Sequence, residues 1–236
     1  MITRQRLNDL DIFYSILEEL EEKLDGKKNL EKCDGRMNWP EKGVYFFFSS
    51  DETRASSSAL RVTRVGTHAV SLGSRTSLWN RLRTHRGTMK GQHEGGGNHR
   101  GSIFRLRIGE AMIEKYSLRD TYPTWSKGSS APREIRHKEY NLEKRVSNYI
   151  RSLPFLYIKI NDKPSRDSDR AYIERNSISL LSNYNEAPID PRKDHWLGLY
   201  SPKSEIKESG LWNSNHVAEK YDPRFLQIFK SYVEDL

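Results

Sequence analysis

The chain carries a single cysteine, Cys33, in 236 residues. One thiol cannot close an internal disulfide, and no Cys/His spacing suits a zinc finger. Long apolar runs are missing too. The longest, Val44 to Phe48, falls far short of the roughly 18 residues that a membrane helix needs. The first twenty residues go straight into an amphipathic pattern without the apolar core of a signal peptide. These absences lead to the expectation of a soluble, cytoplasmic protein with no membrane partner. No internal repeat is visible, and the glycine-rich stretch lacks P-loop spacing. What is present is a polar surface, with 31% charged residues and a mean hydropathy of −0.85. The 35% hydrophobic and 11% aromatic residues suffice for a core, and the length suits one domain with decorations, since domains run to about 250 residues.

The formal net charge is +8, and its location is informative. Between Arg54 and Arg107 there are 11 Lys/Arg and one acidic residue, Glu94; the rest of the chain holds 29 basic and 31 acidic residues. A field localised in this way attracts a polyanion, and the phosphate backbone of DNA is the obvious one. The alternative is a solvated basic face.

Apolar spacing predicts an amphipathic helix over residues 6–24. Residues 43–48 and 60–67 read as strands from their β-branched and aromatic content, joined by a long, mobile, serine-rich connection. Ser74 would cap a helix running to Arg86, with Gly87 as its stop. Residues 87–101 hold six of the 15 glycines. Alternation of Ile103, Arg105 and Arg107 against Phe104, Leu106 and Ile108 predicts a strand with one basic face. A helix over 134–153, a strand over 155–160, a helix over 169–182 and a helix over 221–236 complete the reading. The fold class expected is α/β (α+β): a small antiparallel sheet flanked by helices. The expected boundaries are an N-terminal helical extension at 1–40, a core at 41–186 and a C-terminal extension at 187–236.

Four short signatures occur in order: Gly43-Val44-Tyr45, Arg64-Val65-Gly66, Arg81 with His85, and Glu174 within Tyr172-Ile173-Glu174-Arg175-Asn176. Together they supply a phenol, guanidinium groups, an imidazole and a carboxylate, the groups that cut a phosphodiester bond with a bound metal ion. Arg81 and His85 stand one helical turn apart on one face, where the arginine grips a phosphate and the histidine donates to it or orients a water. An ordinary basic helix surface explains the same pair. Glu174 aligns with Ile178 and Leu181 beside an apolar stripe, where an unpaired carboxylate is costly. It needs a hard cation such as Mg²⁺ or an ion pair with Arg170 one turn earlier. Tyr45 faces the opposite side of its strand from Val44 and Phe46, as a general base or as a packing residue. The glycine-rich stretch with His93, Glu94, His99 and Arg100 reads equally as a mobile DNA-contacting loop or a plain connector. Arg75, Lys90, His99 and Arg100 are the candidate DNA contacts.

These signatures resemble the GIY-YIG nuclease family. Gly43-Val44-Tyr45 is similar to the first half of the name motif and Arg64-Val65-Gly66 to the second. Arg81 and His85 resemble the arginine-helix signature of restriction-type members. Glu174 resembles the metal-binding glutamate, and Asn183 or Asn185 the asparagine that follows it. The resemblance spans Gly43 to Asn185, about three-fifths of the chain. It implies a three-stranded antiparallel sheet and a metal-dependent DNA endonuclease leaving 5′-phosphate and 3′-hydroxyl ends. In that scheme Glu174 binds Mg²⁺ or Mn²⁺, Tyr45 takes the proton from water with help from His85, and Arg81 and Arg64 neutralise charge on phosphorus. Two departures stand out. Arg64 replaces the second tyrosine, and the long stretch between Arg81 and Glu174 implies an inserted strand and helix.

The compact chain suits restriction or defence, and one site per chain makes a homodimer or sequential nicking the route to a double-strand break. The rival readings are a catalytically inactive nucleic-acid-binding protein of the same fold and an interaction protein with an incidental basic patch.

Overall fold

The computed structural model describes residues 4–236. In chain order the elements are α1 (Arg4–Lys23), β1 (Lys28–Asn29), β2 (Gly43–Thr53), β3 (Leu60–Gly66), α2 (Leu78–Arg86), α3 (Ile103–Lys115), α4 (Arg133–Lys138), α5 (Tyr140–Ser152), β4 (Pro154–Lys159), α6 (Asp169–Leu181), α7 (Ser204–Ser209) and α8 (Phe225–Glu234). The four strands form one antiparallel sheet in the order β1-β4-β2-β3. The class is α+β, with four strands rather than three because the two-residue β1 adds an edge to β4.

Strand alternation sorts the core into two layers. Val44, Phe46 and Phe48 of β2, with Leu156 and Ile158 of β4, face α1, α6 and α8. There Phe13, Phe46 and Phe229 meet with ring centroids 5.3–5.9 Å apart. Tyr45, Phe47 and Phe155 face the other way, towards α2, α3 and α5. Phe46 pairs with Val65, Phe47 with Arg64 and Phe48 with Val62, so Thr63 is an extra residue in β3. This bulge lets Val65 and Val62 share one face and leaves Arg64 on the Tyr45 side.

Several elements differ from the sequence reading. The β2–β3 connection is confined to residues 54–59 and is closed by the Arg54 amide on the Ala59 carbonyl at 2.9 Å. Ser77, not Ser74, caps α2, its Oγ accepting the Asn80 amide at 3.2 Å. Gly87 ends that helix at φ +81°. The expected helix over 134–153 is two helices, α4 and α5, meeting at Glu139. The final helix, α8, begins at Phe225 rather than 221.

The basic strand expected from Ser102 to Ile108 is the helix α3. Ser102 caps it through Oγ, which accepts the Arg105 amide at 3.2 Å. Arg105 is fully buried, its guanidinium paired with Glu143 and bonded to the His85 carbonyl at 2.8 Å. A buried ion pair has replaced the solvent-facing basic stripe that the alternation suggested. The stretch between Arg81 and Glu174 thus holds three helices and β4, which is a central strand of the sheet.

Sheet order leaves the outer side of β3 without a strand neighbour, and the chain returns to cover it. The Trp212 amide donates to the Thr63 carbonyl at 2.7 Å. The Asn213 side chain takes the Val65 amide at 3.1 Å and gives to the Val65 carbonyl at 2.9 Å. One amide side chain therefore satisfies both backbone groups of a strand residue.

Candidate active site

Both motif glycines have a geometric reason. A Cβ at Gly43 would overlap the Ile158 carbonyl of the neighbouring strand, and one at Gly66 would overlap the ring and hydroxyl of Tyr45. Gly66 lies directly opposite Tyr45 in the sheet register. Thr67 then ties the two half-motifs to α6. Its Oγ1 donates to the Gly43 carbonyl at 2.8 Å, and its amide donates to Glu174 Oε1 at 3.0 Å.

Behind β3 runs a chain of buried hydrogen bonds. Tyr45 Oη lies 2.8 Å from His85 Nε2, and His85 Nδ1 lies 2.8 Å from Ser102 Oγ. Burial, with the charges of Arg81, Arg64 and Arg105, pushes the His85 imidazole well below its usual range, so it is neutral. Arg64 interacts with the Tyr45 hydroxyl by hydrogen bond and charge, and with Glu174 by charge. One assignment of protons is consistent along this chain. Arg64 donates to the phenol oxygen, the phenol donates to Nε2, and Nδ1–H donates to Ser102.

A pocket of about 270 Å³ opens in front of Arg64, walled by Glu174, Arg107, Asn213 and His216. Burial raises the Glu174 carboxyl, while Arg64, the Thr67 amide, His216 and Arg81 act in the opposite sense. Arg170 does not pair with Glu174. Its guanidinium goes to Asp162 at 2.5 Å and to the His68 carbonyl at 2.5 Å. The Nε atoms of Arg64, Arg81 and Arg107 are buried without a hydrogen-bond partner. Arg64 Nη1 donates to the Trp212 carbonyl at 2.9 Å and Arg107 Nη1 pairs with Glu110 at 2.8 Å, so each keeps a buried Nε–H in reserve. They stand beside a carboxylate that has no ion pair among the described residues, a set that suits an anion and a cation that arrive together.

Compared with known protein families, the chain matches the GIY-YIG domain over residues 4–236. It belongs to the GIY-YIG family. No curated protein and no solved structure matches it. The family match supports a nuclease in general terms, and the residues of this GIY-YIG chain set the detail.

Of the sequence candidates, Tyr45, Arg64, Arg81, His85 and Glu174 come together. Tyr45 and His85, however, are both 0% exposed. They stand behind Arg64, and Tyr45 is sealed beneath Gly66 rather than open to an attacking water. Asn183 lies apart from the group, its side chain bracing a loop through the Asp190 carbonyl and the Ile189 amide, both at 3.1 Å. Asn185 is exposed in a turn at φ +56°. The asparagines at the pocket wall are Asn213 and Asn215.

Among the expected DNA contacts, Arg75 and Lys90 are exposed. His99 and Arg100 turn inward. His99 stacks on Trp125 at 3.8 Å and bonds Glu143 at 2.9 Å. Arg100 makes a two-pronged pair with Glu139 at 2.6 and 3.0 Å. Both act as internal struts of the glycine-rich stretch.

Sequence reasoning missed Arg107, Asn213 and His216. His216 sits at φ +64° with Nδ1 2.7 Å from Glu219 Oε1. Its only local signal is an imidazole three residues before a carboxylate, which is too common to single out. Among the described residues no cluster of three or more His, Cys, Asp or Glu is arranged to hold a metal. Glu174 is the one carboxylate that lines this pocket among the described residues.

Proposed function

We propose that this GIY-YIG protein is a metal-dependent DNA endonuclease that leaves 5′-phosphate and 3′-hydroxyl ends. The observation that carries the reading is the pocket itself: Arg64 and Arg107 line it with unpartnered Nε atoms, Arg81 acts by charge on its carboxylate, and that carboxylate makes no ion pair among the described residues. The donor set suits Mg²⁺ or Mn²⁺, since Mg²⁺ takes one or two carboxylates plus water and phosphate oxygens rather than an all-protein cage. Glu174 would hold it. When bound, such an ion polarises the scissile phosphate and stabilises the leaving oxygen.

The chain's own groups do the remaining work. Arg64, Arg81 and Arg107 neutralise the charge that grows on the phosphoryl oxygens. Arg64, standing where the family motif has a tyrosine, is held in place by Tyr45, which His85 and Ser102 hold in turn. Tyr45 is thus a positioning residue in this arrangement, and its proposed role as general base passes to a group on the pocket wall. That group is His216. With Nδ1–H donating to Glu219, its Nε2 carries the lone pair available to an attacking water.

A role in restriction or defence, with two copies cutting the two strands, fits one site per chain. The test is cleavage of linear duplex DNA by the purified protein, with and without Mg²⁺ or Mn²⁺. Metal-dependent products that a DNA ligase rejoins support the reading. Failure to cut duplex DNA with either ion contradicts it and favours the inactive DNA-binding alternative.

A further inference from the structure

Five of the eleven basic residues that the sequence concentrates between Arg54 and Arg107 are taken up in ion pairs. Arg54 pairs with Asp11 and Asp190, Arg61 with Glu52, Arg100 with Glu139, Arg105 with Glu143 and Arg107 with Glu110. The basic residues of that segment outside every ion pair are Arg64, Arg75, Arg81, Arg83, Arg86 and Lys90. Arg64 belongs to the active-site pocket. The other five lie on α2 or within a few residues of its ends. Free charge is thus gathered on a single helix and its flanks.

That helix has two sides. Arg81 acts by charge on Glu174 of the pocket, whereas Arg83 and Arg86 line a separate groove of about 400 Å³ whose other wall carries Arg136 of α4. No acidic side chain lines the groove, and Gly87, Gly97 and Gly101 contribute a bare backbone floor. Gly87 and Gly97 cannot be anything else. A Cβ at Gly87 would overlap the Gly96 carbonyl, and one at Gly97 would overlap the Arg105 guanidinium. Arg86 is held over the Trp79 ring at 4.9 Å and donates to the Cys33 carbonyl, yet its Nε is buried without a partner. A half-buried guanidinium with no carboxylate is costly in the free protein, and an anion in the groove would remove that cost.

We propose that this groove is the docking surface for the sugar–phosphate backbone of duplex DNA flanking the cleaved bond, with Arg83, Arg86 and Arg136 as its phosphate contacts. The proposal rests on the nuclease reading of the neighbouring pocket. Scale supports it. Arg81 and Arg86 are five residues apart on one helix, a rise of about 7.5 Å at ~1.5 Å per residue. Successive phosphates of one strand advance about 3.4 Å along the duplex axis, so the two sites lie within the reach of a few nucleotides. A floor of glycine backbone and walls of guanidinium offer contacts to phosphate rather than to base edges. The groove therefore holds the duplex in register without reading its sequence.

The test is the salt dependence of binding to a mixed-sequence duplex, measured by fluorescence anisotropy in EDTA so that no cleavage intervenes. Wild type is compared with the Arg83→Ala/Arg136→Ala double variant and with the Arg83→Lys/Arg136→Lys pair, each checked for an unchanged melting temperature. Arg86 is left alone because it braces Cys33. Each lost phosphate contact should lower the slope of log K against log salt by about 0.9. The alanine pair should therefore lose about 2 from the slope and weaken binding, and the lysine pair should keep the wild-type slope. An alanine pair with the wild-type slope overturns the groove while leaving the nuclease reading intact, provided that wild type cuts DNA. Wild type that neither binds nor cuts duplex DNA overturns both.

Discussion

The hydroxyl of Tyr45 lies 2.8 Å from Nε2 of His85, and neither residue reaches solvent. The half-motif tyrosine is therefore tied to the helix of Arg81 from inside the protein, and in the proposed reaction it acts on a substrate through Arg64, with which it interacts. In Tyr45→Phe, both the His85 nitrogen and the Arg64 guanidinium lose a partner at a buried position. Such a loss costs about 1–3 kcal/mol, and a domain of this size melts about 2–4 °C lower for each kcal/mol. Cleavage rate should fall while metal-free DNA affinity holds, because Arg64 keeps its charge but loses its fixed pose. A variant with wild-type melting temperature and rate would show that the buried chain positions nothing.

Asn213 connects the active-site wall to the edge of the sheet. Asn213→Ala strips the Val65 amide and carbonyl of their partners, at a cost of about 1–3 kcal/mol. Hydrogen exchange is the direct readout: the Val65 amide should lose protection. Exchange at Val65 as slow as in wild type would rule out this clamp.

Stability should fall as solutions turn acidic, through His68 among others. Burial, with the Arg170 and Arg81 charges, pushes the His68 imidazole down to about 4. Its value in the unfolded chain is about 6.5, so between those two values the unfolded state binds more protons than the folded one. Stability is then complete above about pH 6.5 and is lost progressively as pH falls towards 4. His68→Gln should lose about 2 kcal/mol less than wild type between about pH 7 and pH 5. Denaturant melts at the two pH values measure this, and parallel losses in the two proteins would contradict it.

How much of this was legible in the sequence depends on the range of the signal. Tyr45, Phe46 and Phe47 alternate across the sheet as a strand must, and Glu174 lies on α6 beside its apolar stripe. Those are local periodicities, carried by neighbouring residues. The segment after Ser102 misled because its arginines mimic a solvent-facing strand. What makes it a helix with a buried Arg105 is Glu143, a carboxylate 38 positions away. Excess charge was legible only in part, since the acids that neutralise Arg54, Arg61 and Arg100 lie outside the basic segment. His216 and Asn213 reach the site only because the chain returns to cover the outer edge of β3. No periodicity near either residue encodes that return.

The central claim is that Glu174 is the metal-holding carboxylate of a working nuclease, and nicking of supercoiled plasmid tests it most directly. Wild type and Glu174→Gln are compared in Mg²⁺ or Mn²⁺ with an EDTA control, and DNA binding is measured in parallel without metal. The expected result is nicking or linearisation by wild type that EDTA abolishes. Glu174→Gln should bind DNA as wild type does and leave the plasmid intact, a loss of at least the ~3–4 kcal/mol typical of removing one transition-state stabilising group. Cleavage by Glu174→Gln at the wild-type rate, or by wild type in EDTA, would contradict the account.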